Sequence, residues 1–179
     1  MEPKKQNIAR TYGLIAGACL IVLTLVLYLG GVETYLGGLA RLGYAILIGL
    51  AAWAAVAQKK ANGGYLEFMD ALKACFTVFV IGLASQTFFT WLLLNVLDTH
   101  FRDVLNPVVL QRTADAYRKL GLTDDQLAKA MDVERGKNQF TLGSMSLGLA
   151  FTCIVHFIIA LLLAALIKKK KDASLDAAF

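Results

Sequence analysis

Charge is scarce in this sequence. Only 17% of its 179 residues are Asp, Glu, Lys or Arg, and long stretches carry none. A soluble domain carries about 25%, so water is excluded as the solvent of most of the chain. Proline is nearly missing too, with Pro3 and Pro107 alone, and nothing breaks the apolar stretches from within. The three cysteines, Cys19, Cys75 and Cys153, each fall inside an apolar run without the close Cys or His spacing of a zinc or redox motif, and they read as small buried thiols. The two histidines, His100 and His156, stand apart from each other and from the cysteines, which excludes an HExxH-type metalloprotease. No GxxxxGK[ST] or strand-based GxGxxG occurs, which disfavours nucleotide-driven transport. Ser144 or Ser146 with His156 is all that a serine hydrolase could draw on. The expectation is therefore a protein that is not an enzyme, with no cofactor and no metal. Positive charge exceeds negative by 5, but the lysines and arginines flank apolar runs instead of forming one patch. They read as topology signals, and no nucleic acid is expected as a partner.

What is present is apolar length: 58% of the residues are hydrophobic and the mean hydropathy is +0.60. Four runs are long enough to form transmembrane helices, at about 12–30, 36–57, 72–97 and 142–167. The spacing thus predicts an all-α integral membrane protein with four transmembrane helices, whose partner is the lipid bilayer. The second run reaches spanning length only if it starts near Leu36 with Arg41 snorkelling to the interface. Gln58, Lys59 and Lys60 end it, and Asn62-Gly63-Gly64 reads as a turn. The box Ala16-Gly17-Ala18-Cys19 resembles a lipoprotein cleavage site, but most of its apolar run follows the cysteine, which is the wrong order.

Between the third and fourth runs, residues 98–141 change to the composition of a soluble segment, with equal numbers of acids and bases. Asn106-Pro107 offers an N-cap and a first helical proline, and Gly121 a stop, which predicts a helix over Pro107 to Leu120. Thr123 and Gln126 have capping-box spacing and predict a second helix from Asp124 to Arg135. Leu127, Ala130 and Met131 on one helix, and Val109, Leu110, Ala114, Tyr117 and Leu120 on the other, allow the two to pair as a helical hairpin. Residues 168–179 begin with four lysines and read as a cytoplasmic tail. Lys4, Lys5, Arg10, Lys59, Lys60, Lys73 and those four lysines crowd the span ends on one side, so both termini are expected in the cytoplasm and the insert outside it.

Polar groups in hydrocarbon are costly, so each is a functional candidate. Gln86 and His156 fall near the middle of the third and fourth runs and at comparable depth if the helices are antiparallel. They read either as a proton relay or substrate contact, or as interhelical packing, where such bonds contribute about 0.6 kcal/mol. Glu67, Asp70 and Lys73, spaced by threes, form a candidate cytoplasmic-entrance cluster, or simply support a wet helix face. Gly13-x-x-x-Gly17 has the spacing of closely approaching helices, within one chain or between copies.

The stretch Asn62 to Lys73 (NGGYLEFMDALK), leading into an apolar helix with Phe76, Ser85 and Phe88, resembles a bacterial membrane family of unknown function, DUF 4199. The resemblance extends over most of the chain. It implies a four-helix protein of the bacterial cytoplasmic membrane, with a glycine-rich turn before the third helix and a polar helical insert before the fourth. It brings no catalytic residue, cofactor or substrate. The expected role is accessory or interaction, with a homo-oligomer or a membrane-protein partner; the alternative is a small oligomeric transporter or channel lined by Gln86 and His156.

Overall fold

In a run without polar side chains, backbone amides have only each other to bond with, so such a run must be helical in lipid. The computed structural model describes residues 3–169, with side chains from residue 8 onward, and is helical almost throughout. The order is α1 (Pro3–Leu29), α2 (Gly31–Tyr35), a 3-10 turn (Gly38–Arg41), α3 (Leu42–Ala61), α4 (Phe68–Leu92), a π-helical turn (Leu93–Leu97), α5 (Thr99–Lys119), α6 (Asp124–Gly136) and α7 (Leu142–Ile167). Four stretches are long and apolar enough to cross a membrane: Ile8–Leu29, Gly31–Ala61, Phe68–Leu97 and Leu142–Ile167. They match the four expected runs, with the first beginning a turn early and the second broken at its start by Gly37, where the backbone is extended.

Helix α4 is the hub. It packs on α1, α3 and α7, and α1 also packs on α3, whereas α3 and α7 meet only narrowly. Small residues bring the hub's neighbours close. A Cβ added to Gly13 would lie 2.9 Å from the Ile81 Cβ, and one on Gly17 2.8 Å from the Ser85 Cβ. From the other side, a Cβ on Gly82 would lie 2.9 Å from the Leu47 Cδ1. The Gly13/Gly17 pair is therefore spent within the chain, on the α1–α4 contact. Below it, Ala51, Ala54 and Ala55 of α3 and Ala71, Ala74 and Cys75 of α4 are all buried.

The opposite face of α7 is apolar and bare. Phe151, Ile154 and Leu162 are more than 60% exposed, a pattern suited to lipid contact and not to water. Cys19 is likewise exposed on α1, which corrects its expected burial; Cys75 is buried and Cys153 half-buried. The first turns of α1 and the last turns of α7 lie at the same end of the bundle, with Ala9, Leu66, Ala71 and Ala164 in one buried cluster. There Leu66 and Lys169 exchange two backbone hydrogen bonds of 2.9 Å, and the Lys59 ammonium donates to the last α7 carbonyl, that of Ile167, at 2.8 Å. Lys4 and Lys5 as side chains, Lys170, Lys171 and the rest of the expected cytoplasmic tail lie outside the described residues.

The expected helix from Pro107 to Leu120 needs correction. Asp98, not Asn106, is the cap: its Oδ1 accepts from the Phe101 amide at 2.8 Å, so α5 starts at Thr99 and carries Pro107 in its interior. Pro107 lies on an exposed face, where water can satisfy the carbonyl that its ring leaves without a donor. The helix stops as expected at Gly121, whose φ of +86° suits a residue without a Cβ. Thr123 and Gln126 form the expected capping box, and Leu127 and Met131 of α6 are buried toward α5. Leu120, expected in the α5 stripe, is 76% exposed because it is the cap residue past the last helical turn.

Candidate functional site

A cleft of about 580 Å³ opens between α3 and α7, at the end of the bundle that carries α5 and α6. It exists because α3 and α7 both rest on α4 but diverge from each other. The 3-10 turn carries Arg41 to its mouth. Its α4 wall runs Thr90, Thr87, Gln86, Leu83, which share one helix face by their spacing of three and four, so the wall changes from polar to apolar with depth. Tyr44 and Leu47 of α3 stand opposite, with Met145, Gly148, Leu149 and Thr152 of α7 closing the side.

Gln86 lies in this wall and His156 just beneath it, but the structure does not join them. The Gln86 Nε2 donates to the Thr24 Oγ1 of α1 at 3.4 Å, and Thr24 in turn donates to the Leu20 carbonyl at 2.8 Å. The His156 Nδ1 is 2.8 Å from the Thr152 carbonyl. A carbonyl can only accept, so Nδ1 carries the proton. The ring is 2% exposed, 5.1 Å from the Phe79 ring and 5.9 Å from that of Tyr44, and its Nε2 has no partner among the described residues. Gln58 of α3 holds a second orphan of this kind, its Oε1.

At the opposite end, Glu67 is the exposed cap residue before α4, without a side-chain capping bond. Asp70 sits in the first turn of α4, half-buried, where a negative charge is favoured by the helix dipole, and Lys73 is exposed one turn on. The three are near one another in sequence and none of them lines the α3–α7 cleft, and among the described residues no group of three His, Cys, Asp or Glu side chains is placed to hold a metal ion.

Where α4 meets α5, polar groups are concentrated. The Tyr28 hydroxyl donates to the Asp98 Oδ2 at 2.7 Å, and the Phe101 ring lies edge-on to Tyr28 and Tyr35 at 4.8 and 5.5 Å. The Tyr28 hydroxyl, and after it the Phe101 amide, hold the Asp98 carboxyl below its usual range. Arg112 of α5 donates to the Leu36 carbonyl and lies 3.9 Å from the Glu33 carboxylate. The π-helical turn re-aims Asn95, whose Nδ2 donates to the Phe140 carbonyl ahead of α7 at 2.9 Å and to the Trp91 carbonyl at 3.0 Å.

Sequence reasoning did not identify Thr24, Tyr44, Thr87, Thr90 and Asn95 as site residues. The 86-87-90 spacing was a usable signal, since it marks a polar stripe on an otherwise apolar helix. Asn95 had none, because its role depends on the π-helical turn. No curated protein and no solved structure matches this chain. A family model described as a protein of unknown function, DUF4199, matches residues 11–169. That match takes in all four apolar helices, the glycine turn and the polar insert together, and the chain accordingly belongs to the DUF4199 family.

Proposed function

We propose that the protein is a non-enzymatic accessory protein of the bacterial cytoplasmic membrane, with both termini in the cytoplasm and the α5–α6 pair outside, where it offers an interaction surface to a membrane-protein partner or a second copy. The observation that carries this reading is the way α5 is fixed to the spans. The Tyr28–Asp98 bond, the Phe101 ring between two tyrosines and the Arg112 contacts to the α2 region tie α5 down at separated points. A surface held in one orientation binds without the cost of ordering it, about 0.5–1.5 kcal/mol for each side chain that would otherwise be immobilised. The orientation draws on the lysines and arginines crowded in the sequence at the start of α1, around the α3–α4 turn and after α7. Crosslinking in native membranes through residues of α5 and α6, followed by identification of the adducts, tests the reading. Recovery of a lone monomer under mild extraction, without adducts, overturns it.

A second reading, an oligomeric transporter with Gln86 and His156 along its path, draws on the unpartnered His156 Nε2. It expects a pH-dependent flux in liposomes that His156→Ala abolishes, and an unchanged flux removes it.

A further inference from the structure

We propose that the α3–α7 cleft is a binding site for one anionic phospholipid, with the phosphate on the Arg41 guanidinium and an acyl chain in the apolar lower half. The inference does not depend on what α5 and α6 contact.

The first argument is charge. Arg41 lies within the second apolar stretch, Gly31–Ala61, is exposed, and lines the cleft mouth. The acids at this end of the bundle are already engaged: Glu33 with Arg112, Asp98 with Tyr28, and Asp103 with Arg102. Arg41 has no ion pair among the described residues. A guanidinium at membrane depth is costly unless an anion or the interface meets it, and its planar fork suits phosphate oxygens.

The second argument is the gradient along the wall. Arg41, Thr90, Thr87 and Gln86 line the half of the cleft toward α5, and Leu83 and Leu47 line the half below them, where the Thr152 hydroxyl of α7 is already used on the Gly148 carbonyl at 2.9 Å. Thr90 to Leu83 on α4 spans ~10 Å along the helix, within one ~15 Å leaflet. Anion, polar linkage and hydrocarbon occur in that order in a phospholipid. A water-soluble anion would not use the leucines, and an apolar helix of another protein would not use the arginine.

The third argument is room. The α7 wall includes Gly148, and a Cβ added there meets nothing within 4 Å. The volume of about 580 Å³ falls within the usual range of small-molecule sites.

The test uses the full chain in a neutral maltoside detergent and native mass spectrometry with phosphatidylglycerol and phosphatidylcholine of identical acyl chains. The wild type should retain one phosphatidylglycerol with a preference of about tenfold, the size of one charge-assisted contact. Arg41→Gln should bring the two lipids to parity, and Gly148→Phe, which fills the cleft, should remove the retained lipid. Lys168→Gln with Lys169→Gln, at the other end of the bundle, should leave the preference intact. Helical circular dichroism and monodisperse elution identify variants that have folded, and Arg41→Gln alters an exposed side chain, so it remains informative if Gly148→Phe fails to fold. The proposal is overturned if the wild type shows no preference, if Arg41→Gln keeps it, or if the lysine variant is the one that loses it. It is overturned equally if the species displaced by Gly148→Phe is a second protein chain.

Discussion

A polar side chain in a membrane protein has few ways to be satisfied, and His156 in the core and Asp98 just past the end of the third apolar stretch show two outcomes. His156 uses one nitrogen on its own helix and leaves the other unpartnered, while its ring fills space between Phe79 and Tyr44. If the ring is there to fill that space, His156→Phe should stay within about 1 kcal/mol of wild type, whereas His156→Ala should lose about 2–4 kcal/mol to the cavity it opens. Unfolding by sodium dodecyl sulfate titration in mixed micelles reads both, and a Phe variant as damaged as the Ala variant would show that the imidazole itself is required. Asp98 accepts from the Tyr28 hydroxyl and the Phe101 amide, and its folded-state pKa is lowered below its unfolded value. Its contribution to stability is therefore present above the unfolded pKa of about 3.8 and is lost as pH falls through the folded one. Tyr28→Phe should consequently lower the melting temperature at neutral pH, with the deficit shrinking as Asp98 becomes protonated. An equal deficit in acid would mean that the hydroxyl stabilises something other than the carboxylate. Sequence singled out His156 by its isolation in an apolar run. It could not identify the Tyr28–Asp98 pair, whose members are seventy positions apart.

At the scale of elements, the decisive feature is the close approach of α1 and α4. Gly13 and Gly17 face Ile81 and Ser85 with no room for a Cβ. Gly17→Ala should destabilise the bundle by about 1–3 kcal/mol, as overpacking generally does. Ser85→Gly in the same chain should restore part of that loss, because it removes the atoms that the new methyl meets. Unfolding of the single and double variants in mixed micelles measures the coupling, and strict additivity would sink the assignment. The glycine spacing was legible in the sequence, but whether it served this chain or a second copy was not, since periodicity marks a face without naming what covers it. The α5 start was misplaced for a related reason. Asn106-Pro107 is a sound local signal for a helix beginning, yet Asp98 caps earlier and the tyrosines around Phe101 hold the first turns in place, so a tertiary contact overrides the local preference.

For the molecule as a whole, orientation is the property on which the proposed role depends. Leu120, 76% exposed between α5 and α6, and Lys60, exposed in the last turn of α3 at the opposite end of the bundle, are suitable positions for reporters. In intact cells, Leu120→Cys should react with a membrane-impermeant maleimide and Lys60→Cys only after permeabilisation; the reverse pattern inverts the topology. By itself the sequence determined that the chain has four apolar helices long enough to span a membrane, because hydrocarbon obliges an uncharged run to satisfy its own backbone, and this constraint is local. It also determined the Thr123 capping box and the Gly121 stop, which involve neighbours within a turn. Only the tertiary structure decided that α4 is the hub, that α3 and α7 diverge above it, and that Arg41, Gln86 and Thr152 border one cleft. These depend on which helix faces meet, and helix faces in lipid are chosen by the fit of small and large side chains, a property of pairs of helices that no single run contains.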